Sequence, residues 1–523
     1  MKIPLTPFKI LALAPFLGRH CLLLDKMPLR IDPANLDQVI EELGPTCRVS
    51  IPRDLHPEGT LEIKFKRLKD FHPDGLVRNH PVLRNLWEAK MWVEEGKKKK
   101  LSPQEINAHL ANWPNLPPIR TETVPEKARS TSRDPLDKIL NMVALPDEHT
   151  GLPSEAQGAT NSINTILKQV LKHIFLQETF RTLEATWRGL NLLLRQAKPR
   201  NNDLKIDIVP VSYDSLGETL SALTAEVIDA LPSLILVDLG FDNSPRSLDL
   251  LESVAQFAET LLVPVITWIQ PAFFYMDSWQ DIKKLSFLPH YLEEPTFANW
   301  QSLKRAPSAR WLAVTCNRCL SRYPYGNNNR PRLIQFEEQN PLWISPVWAL
   351  GSLIGQSFIK TGWPTRFTDW QNMRLEDLPL NTEEAKKSLP TEADFDRNRI
   401  DQFIRSGIIP LAAVQGKDIA FVPNENTVGG VSLSYQFLVS RITQLVLWCR
   451  DHFEKGLKGV DLEAELGEAF SLFLESSGHS DSESLEIQTG KPDSDGRIPI
   501  RISLEPSREI LPSRKRVELN FMW

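Results

Sequence analysis

Residues 234–239 read Leu-Ile-Leu-Val-Asp-Leu, a mostly apolar run of strand length that decides the fold class of this chain. Similar runs occur before it at 204–211 and after it at 263–269, and the segments between them, 217–231 and 247–262, have the length and composition of helices. Strands that are apolar along their length and alternate with helices are typical of a parallel sheet covered on both faces. The pattern predicts a mixed α/β fold with a largely parallel central sheet flanked by helices.

The composition limits the classes of partner. At 523 residues the chain is long enough for two to four domains. It is 41% hydrophobic and 24% charged, as folded proteins in water are. A formal net charge of −5 provides no general basic field for nucleic acid. No stretch reaches the roughly 18 apolar residues of a membrane span, so we expect neither nucleic-acid binding nor membrane insertion.

Cysteine usage and the N-terminal sequence both favour the cytoplasm. The five cysteines are scattered and odd in number, which argues against a disulfide scaffold and for a reducing compartment. Residues 10–17 are apolar, but the run is short, contains Pro15 and is followed by Arg19 and His20. A strand fits this segment better than the apolar part of a signal peptide.

Three regions are predicted from shifts in composition along the chain. Residues 1–96 mix strands and helices, residues 97–160 form a Pro-rich linker, and residues 161–523 alternate helix and strand. The linker contains one predicted helix near 103–112 and a short amphipathic helix at 135–143. The other predicted elements are helices at 32–43 (begun by Asp32 and Pro33), 81–93, 163–195, 341–360 and 431–454, and strands at 5–17, 60–68, 485–488, 498–504 and 517–521.

Motifs that carry catalysis or bind cofactors are absent from the sequence. It has no glycine-rich phosphate loop, zinc-protease motif or serine-hydrolase motif, and its ten histidines are dispersed. We therefore expect no catalytic residues, no cofactor and no metal. Asp238 and Asp242 do follow a predicted strand, where α/β enzymes often place acids. Capping of the next helix is the favoured interpretation, and an α/β enzyme that uses Asp238 and Asp242 is the alternative.

Cys316-Asn317-Arg318-Cys319 has the spacing of a redox pair or of half a zinc site. No second Cys or His pair is available to complete a zinc site. Pro324 and Gly326 follow soon after, where a redox motif should open a helix. Two ordinary thiols beside a sheet are the favoured interpretation.

The stretch Leu183-Glu184-Ala185-Thr186-Trp187-Arg188-Gly189-Leu190 ends a predicted helix and is unusual for core packing. Adjacent residues on a helix point about 100° apart. Trp187 and Arg188 should therefore both be partly exposed at the surface of the helix, and another part of the protein or a partner must pack against them.

This stretch resembles a segment of the large subunit of the type VI secretion contractile sheath. Further resemblances follow in the order expected for that family and cover about 161–523: Val263-Pro264-Val265-Ile266, Arg322-Tyr323-Pro324-Tyr325-Gly326, Phe336-Glu337-Glu338, Gly362-Trp363-Pro364, Gly407-Ile408-Ile409-Pro410-Leu411 and Tyr435-Gln436-Phe437-Leu438-Val439-Ser440-Arg441. The resemblance implies a contractile-tail-sheath-like fold for this region.

The N-terminal region resembles the small sheath subunit. Pro7–Leu13 is similar to its first strand, Asp32–Asp37 to the start of its first helix, and Leu68-Lys69-Asp70-Phe71-His72-Pro73-Asp74 to its D-F-x-P-D turn. We therefore predict a fusion of the two subunits: 1–96 small-subunit-like, 97–160 linker, and 161–523 large-subunit-like with terminal strands at about 485–521. Fusion of normally separate subunits raises their effective concentration for each other.

The resemblance also implies partners and contact residues. A sheath protomer forms a helical homopolymer around an inner tube protein, joins baseplate components, and is disassembled by a ClpV-type unfoldase ATPase. A non-contractile sheath-related assembly protein is the alternative. The candidates for ATPase recognition, or alternatively for packing on their own domain, are Leu136, Ile139, Leu140 and Val143. The candidates for strand exchange, or alternatively for closing the chain's own sheet, are Val517, Leu519 and Phe521. The candidates for contacts within or between protomers are Trp187, Arg188, Arg322 and Arg441, and we expect the three arginines to form structural ion pairs first.

Overall fold

The structure is a computed structural model that describes residues 7–18, 28–114, 116, 155–199, 203–382, 388–454, 457–476, 484–495 and 497–523. Within these ranges, no helix combines the length and the apolar character that a membrane crossing requires. The predicted helix at 135–143 lies outside the described residues.

Helices and strands alternate along much of the chain. The helices are α1 Leu36–Leu43, α2 Pro73–Asn79, α3 Pro81–Lys98, α4 Pro103–Ala111, α5 Glu155–Leu176, α6 Glu178–Ala197, α7 Leu216–Val227, α8 Pro245–Leu261, α9 Leu288–Tyr291, α10 Ala298–Arg305, α11 Pro346–Thr361, α12 Arg397–Ser406, α13 Leu433–His452 and α14 Gly459–Ser476. The strands are β1 Phe8–Ala14, β2 Leu29–Ile31, β3 Thr46–Ser50, β4 Thr60–Lys64, β5 Leu204–Pro210, β6 Leu234–Phe241, β7 Val265–Ile269, β8 Leu312–Cys316, β9 Cys319–Leu320, β10 Trp343–Ile344, β11 Ile408–Pro410, β12 Ala412–Ala413, β13 Ala420–Phe421, β14 Leu485–Thr489, β15 Pro499–Leu504 and β16 Val517–Met522.

Seven strands form the central sheet in the order β11-β8-β7-β6-β1-β5-β2. Every neighbouring pair is parallel except β2 and β5, which are antiparallel. Two apolar cores cover its faces, as expected for strands that are hydrophobic along their whole length. The predicted α/β class and the largely parallel sheet are confirmed.

Strand β1 lies between β5 and β6 and is parallel to both. Phe8 pairs with Leu204 and Ala14 with Pro210 on one side, while Ile10 pairs with Leu234 on the other. A strand from the first predicted region therefore sits inside the sheet of the third. The limits 1–96, 97–160 and 161–523 remain a prediction, but the first and third regions share one sheet.

The rest of the first region is a small α/β unit packed on α6. The Phe65 and Phe71 rings stack with centroids 4.0 Å apart, and Phe180 of α6 lies about 6 Å from each. Helix α1 begins after Asn35, so the predicted start at Asp32 and Pro33 is wrong. The Asp32 carboxylate instead accepts hydrogen bonds from the backbone of Ala34 and Asn35 and stabilises a turn before the helix.

The predicted helix at 163–195 is two helices, α5 and α6. Gln177 between them has extended backbone angles, with ψ of 121°. Helix α6 then packs very closely against α11: a Cβ on Gly189 would lie 2.2 Å from the Trp348 ring, so only glycine permits this approach.

Residues 459–523, here named the C-terminal unit, consist of α14 and an antiparallel sheet of order β14-β15-β16. They build a third apolar core together with α13. Three strands in this part of the sequence were predicted, at 485–488, 498–504 and 517–521, and all three are present.

Candidate functional site

The most concentrated group of charges in the interior lies where α6 meets the turn after β9. The Arg322 guanidinium donates to both oxygens of Glu184 (2.9 and 3.1 Å) and to both oxygens of Glu338 (2.5 and 3.0 Å). Both carboxylate side chains are only 1% exposed. Such doubly bidentate pairing matches the planar geometry of arginine and satisfies two carboxylates with one cation.

Two further arginines complete this group, which we name the central charge cluster (Arg181, Glu184, Arg188, Arg322 and Glu338). Arg188 Nε donates to Glu184 Oε1 over 2.6 Å within α6. Arg181 lies 3.9 Å from Glu338 and donates to the carbonyls of Asn340 and Pro341. Burial opposes ionisation of Glu184, but Arg322 and Arg188 hold the pKa of this carboxyl below its usual value.

The D-F-x-P-D turn of the first region packs against this cluster. Arg322 lies over the Tyr325 ring, 4.0 Å from its centroid, and the His72 and Tyr325 rings form a T-shaped pair with centroids 4.9 Å apart. The Asp74 carboxylate accepts hydrogen bonds from the backbone N–H groups of Arg332 and Leu333, each 2.9 Å long. Burial lowers the pKa of His72, so this ring favours its neutral form. Tyr325 and the backbone at 332–333 therefore join the first region to the part of the chain that holds the cluster.

Trp187 is fully buried, so the prediction that it is partly visible is wrong. Its Nε1 donates to the Phe16 carbonyl over 3.1 Å, and the two rings lie 4.9 Å apart. Phe16 follows β1, so the chain's own first region receives the tryptophan. The Arg188 side chain is 20% exposed and is received by Glu184.

Arg441 has a different environment. It is 4% exposed, and its Cζ atom lies 5.2 Å from the centroid of Phe358, 5.4 Å from that of Trp363 and 5.6 Å from that of Phe473. We name this group the aromatic cage. Within the described residues Arg441 makes no ion pair, and its Nε has no hydrogen-bond acceptor. The expected ion pair is present for Arg188 and Arg322 but not for Arg441.

Asp238 and Asp242 lie in different hydrogen-bond environments. Asp238 is inside β6, where it accepts a hydrogen bond from Trp348 Nε1 over 2.7 Å, and burial raises its pKa to about 6. Asp242 accepts from the backbone and hydroxyl of Ser244, the residue that caps α8. Asp242 thus has the capping environment favoured from sequence, whereas Asp238 packs against α11.

Cys316 and Cys319 are both buried, and burial raises the pKa of Cys319 to about 12 and that of Cys316 well above its usual value. Thiols in such surroundings are poor nucleophiles, which fits the interpretation as ordinary thiols. Between them, Asn317 adopts a positive φ of 71°, exchanges hydrogen bonds with the Ala393 backbone and donates to the Leu411 carbonyl. Across the described ranges, no group of His, Cys, Asp and Glu side chains is arranged to hold a metal ion.

Of the remaining predicted contact residues, the structure describes the three near the C-terminus. Val517, Leu519 and Phe521 are on β16, and their side chains face the core of the C-terminal unit. Leu136, Ile139, Leu140 and Val143 lie outside the described residues.

Sequence reasoning missed the two carboxylates of the cluster, Glu184 and Glu338. Both stand inside quoted motifs, and Glu184 lies between the apolar residues Leu183 and Ala185. That position is a usable signal because a buried acid requires a cation. Their common partner, Arg322, could not be found by spacing, since 138 residues separate it from Glu184.

Chemically, the cluster is suited to hold segments in place. Its carboxylates are saturated by guanidinium groups, which are never deprotonated in proteins and so cannot relay protons. Burial opposes the charge of Arg322, yet Glu184 and Glu338 hold its pKa above the usual value.

Two family models match the chain in sequence order. The type VI secretion system VipA family matches residues 4–112, and the VipB (EvpB) tail sheath N-terminal domain matches residues 157–230 and 232–429, just over half of the chain. The type VI secretion system sheath protein TssC1 of Pseudomonas aeruginosa is 25% identical over 273 residues, which are 46% of this chain and 55% of that protein. The chain thus spans about half the length of the curated relative it matches.

Two solved structures share a looser likeness. They are the contracted helical sheath of the anti-feeding prophage and the baseplate of the same particle, each at 11% identity and a TM-score of 0.35. The matches cover 64% of this chain and 77% and 75% of those chains, respectively, and are too loose to argue from. The family matches, one for each sheath subunit and together in one polypeptide, show that this chain belongs to the type VI secretion tail sheath family and joins its VipA and VipB regions.

Proposed function

We propose that the chain is a structural protomer of a cytoplasmic contractile sheath in a type VI-like secretion machine. It polymerises into a helix around an inner tube protein, and its contraction drives effector translocation. The observation that supports this proposal best is the pairing of β1, from the VipA-matched residues, between β5 and β6 of the VipB-matched residues. Two subunits that must act together in a sheath are thus one folded body.

The buried contacts between the two regions support a role that bears load. Asp74 holds the backbone at 332–333 and the Phe16 carbonyl binds Trp187, while Arg322 joins Glu184 to Glu338 within the larger region. Contacts of this kind make a protomer rigid. A rigid protomer can transmit rotation to its neighbours through heterologous contacts that do not close into a ring.

We also propose that the terminal strands connect neighbouring protomers. Strand β16 pairs with β15, and among the described residues no strand pairs with its other edge. Main-chain hydrogen bonds at such an edge bind an added strand and tolerate rotation of the attached bodies. Val517, Leu519 and Phe521 then anchor an exchanged strand in the apolar core of a neighbour.

Deletion of residues 514–523 tests this connection. The truncated chain should remain folded, as measured by circular dichroism, but should fail to form long polymers. A double substitution, Glu518→Gln with Asn520→Gln, serves as the matched control because it leaves the apolar side of β16 intact. Long polymers from the truncated chain would rule out the connection.

Recovery of contracted sheaths needs an outside energy source because the sequence has no nucleotide-binding loop. We propose that a ClpV-type unfoldase ATPase recognises residues 135–143 through Leu136, Ile139, Leu140 and Val143. Leu136→Asp with Leu140→Asp should abolish ATPase binding in a pull-down, whereas Asn141→Asp on the polar side should leave it intact. Equal binding by both variants would refute this assignment.

Electron microscopy of the purified chain tests the proposed function as a whole. Hollow tubes that occur in long and shortened forms are the expected result, and baseplate components added to them should attach at one end. Tubes of a single fixed geometry would favour the non-contractile alternative. Compact monomers under all conditions would contradict a role as a sheath protomer. The alternative of an enzyme that uses Asp238 and Asp242 is not favoured by the comparisons with known proteins.

A further inference from the structure

The aromatic cage around Arg441 lies between two parts of the molecule. Phe358 at the end of α11 belongs to the core that covers one face of the central sheet. Trp363 and Phe473 belong to the core of the C-terminal unit. Arg441 in α13 is therefore a cation placed where two apolar cores meet.

Nothing in the described residues neutralises this cation. Arg441 is 4% exposed, its Nε lacks an acceptor, and no ion pair reaches it. Burial is the cause that lowers its pKa, to about 10, which leaves the group charged near neutral pH. Face-on contacts with three rings compensate only part of the lost hydration, since each such contact is modest.

The lost hydration can be recovered in one way without a partner. If the C-terminal unit moves away from the central sheet, water reaches the guanidinium. The free energy of hydrating the guanidinium then offsets part of the free energy lost with the apolar contacts. Cation–π contacts also depend weakly on direction, so they permit small rotations that a bidentate ion pair resists.

Besides the third apolar core that the C-terminal unit shares with α13, polar groups contribute side-chain contacts across this junction. The Thr365 hydroxyl donates to the Ile510 carbonyl, and Lys515 lies over the Tyr435 ring, 4.8 Å from its centroid. Neither contact is a buried ion pair. The buried ion pairs of the central charge cluster lie elsewhere in the molecule.

We propose that the Arg441 cage is a built-in joint at which the C-terminal unit, residues 459–523, opens from the central sheet while the rest of the protomer stays rigid. The joint is a property of the single chain and does not depend on the proposed sheath function. In a sheath it would let the terminal strands follow a neighbour while the body rotates.

Hydrogen–deuterium exchange on the full-length chain tests the joint, with two variants of opposite expected effect. Arg441→Met removes the buried charge and keeps an apolar side chain of similar length, so exchange in 459–476 and 499–522 should slow by about tenfold or more. Arg441→Lys introduces a more strongly hydrated cation, so exchange in the same segments should become faster. Exchange in β5, β6 and α6 should stay unchanged in both.

Several results would overturn the proposal. Faster exchange in the C-terminal unit of Arg441→Met would show that the charge locks the junction. Equal changes throughout the chain, or no change in either variant, would show that no local joint exists. Failure of Arg441→Met to fold, judged by circular dichroism, would contradict it as well, because removal of an unpaired buried charge is expected to preserve the fold.

Discussion

Arg322 and Arg441 are both buried arginines in motifs shared with the sheath family, yet their surroundings differ completely. Arg322 binds two carboxylates and lies over Tyr325, whereas Arg441 is surrounded by three rings and has no acid partner in the described chain. Arg322 joins segments that are far apart in sequence, whereas Arg441 lies where two apolar cores meet. The comparison teaches that the same residue type can fix one part of a protomer and leave another able to move.

The largest effect is expected from Arg322→Met, which leaves buried Glu184 with Arg188 alone and buried Glu338 with Arg181 at 3.9 Å. Breaking a buried ion pair by removal of one partner typically costs about 3–5 kcal/mol. Denaturant unfolding measures the loss. Arg374→Met, which breaks only the exposed pair with Glu376, is the matched control and should cost less than about 1 kcal/mol. Similar losses in both variants would break the comparison.

Asp238 provides an acidic counterpart to Arg441, because it is a partly buried acid with no cation partner among the described residues. Its pKa is raised from about 4 to about 6, so its contribution to stability is present at low pH and is lost as the pH rises through about 6. Asp238→Asn keeps an acceptor for Trp348 and removes this loss. The variant should gain up to about 3 kcal/mol over wild type at pH 8, and little at pH 4.

Urea unfolding at both pH values measures that difference. A gain that is equal at pH 4 and pH 8 would show that the Asp238 charge is not the cause. Asp242→Asn, at an acid held by Ser244 near the surface, is the control and should show no such gain.

The smallest effect is expected from Arg188→Met. Glu184 keeps both hydrogen bonds from Arg322 in this variant, so no buried carboxylate becomes unpaired. The expected loss is about 1 kcal/mol, the net value of one hydrogen bond. A loss as large as that of Arg322→Met would show that the cluster acts as one indivisible network.

The sequence predicted what depends on local pattern. The apolar runs at 204–211, 234–239 and 263–269 and the helical segments between them are all present, because periodicity and burial agree there. Helix ends were less predictable. Asp32 stabilises a turn and Asn35 directly precedes α1. Because aspartate and asparagine are both favoured in turns and before helices, the sequence does not distinguish the two positions.

Long-range contacts could not be predicted from pattern. Nothing in Phe8–Ala14 indicates that it pairs between β5 and β6, nearly 200 residues away. The same limit applies to Trp187: its sequence position suggested exposure, but the Phe16 carbonyl and ring enclose it. For the arginines, the motifs indicated burial, and only the fold distinguishes a guanidinium between carboxylates from one between rings.

Cleavage of the linker tests most directly the central claim that the VipA-like and VipB-like regions form one body. A protease site introduced at 121–130, outside the described residues, allows the folded chain to be cut after purification. We predict that the two fragments elute together from a sizing column in equal amounts and unfold in one transition, because β1 stays within the central sheet. Separation of the fragments under native conditions, with the larger one still folded, would contradict the account.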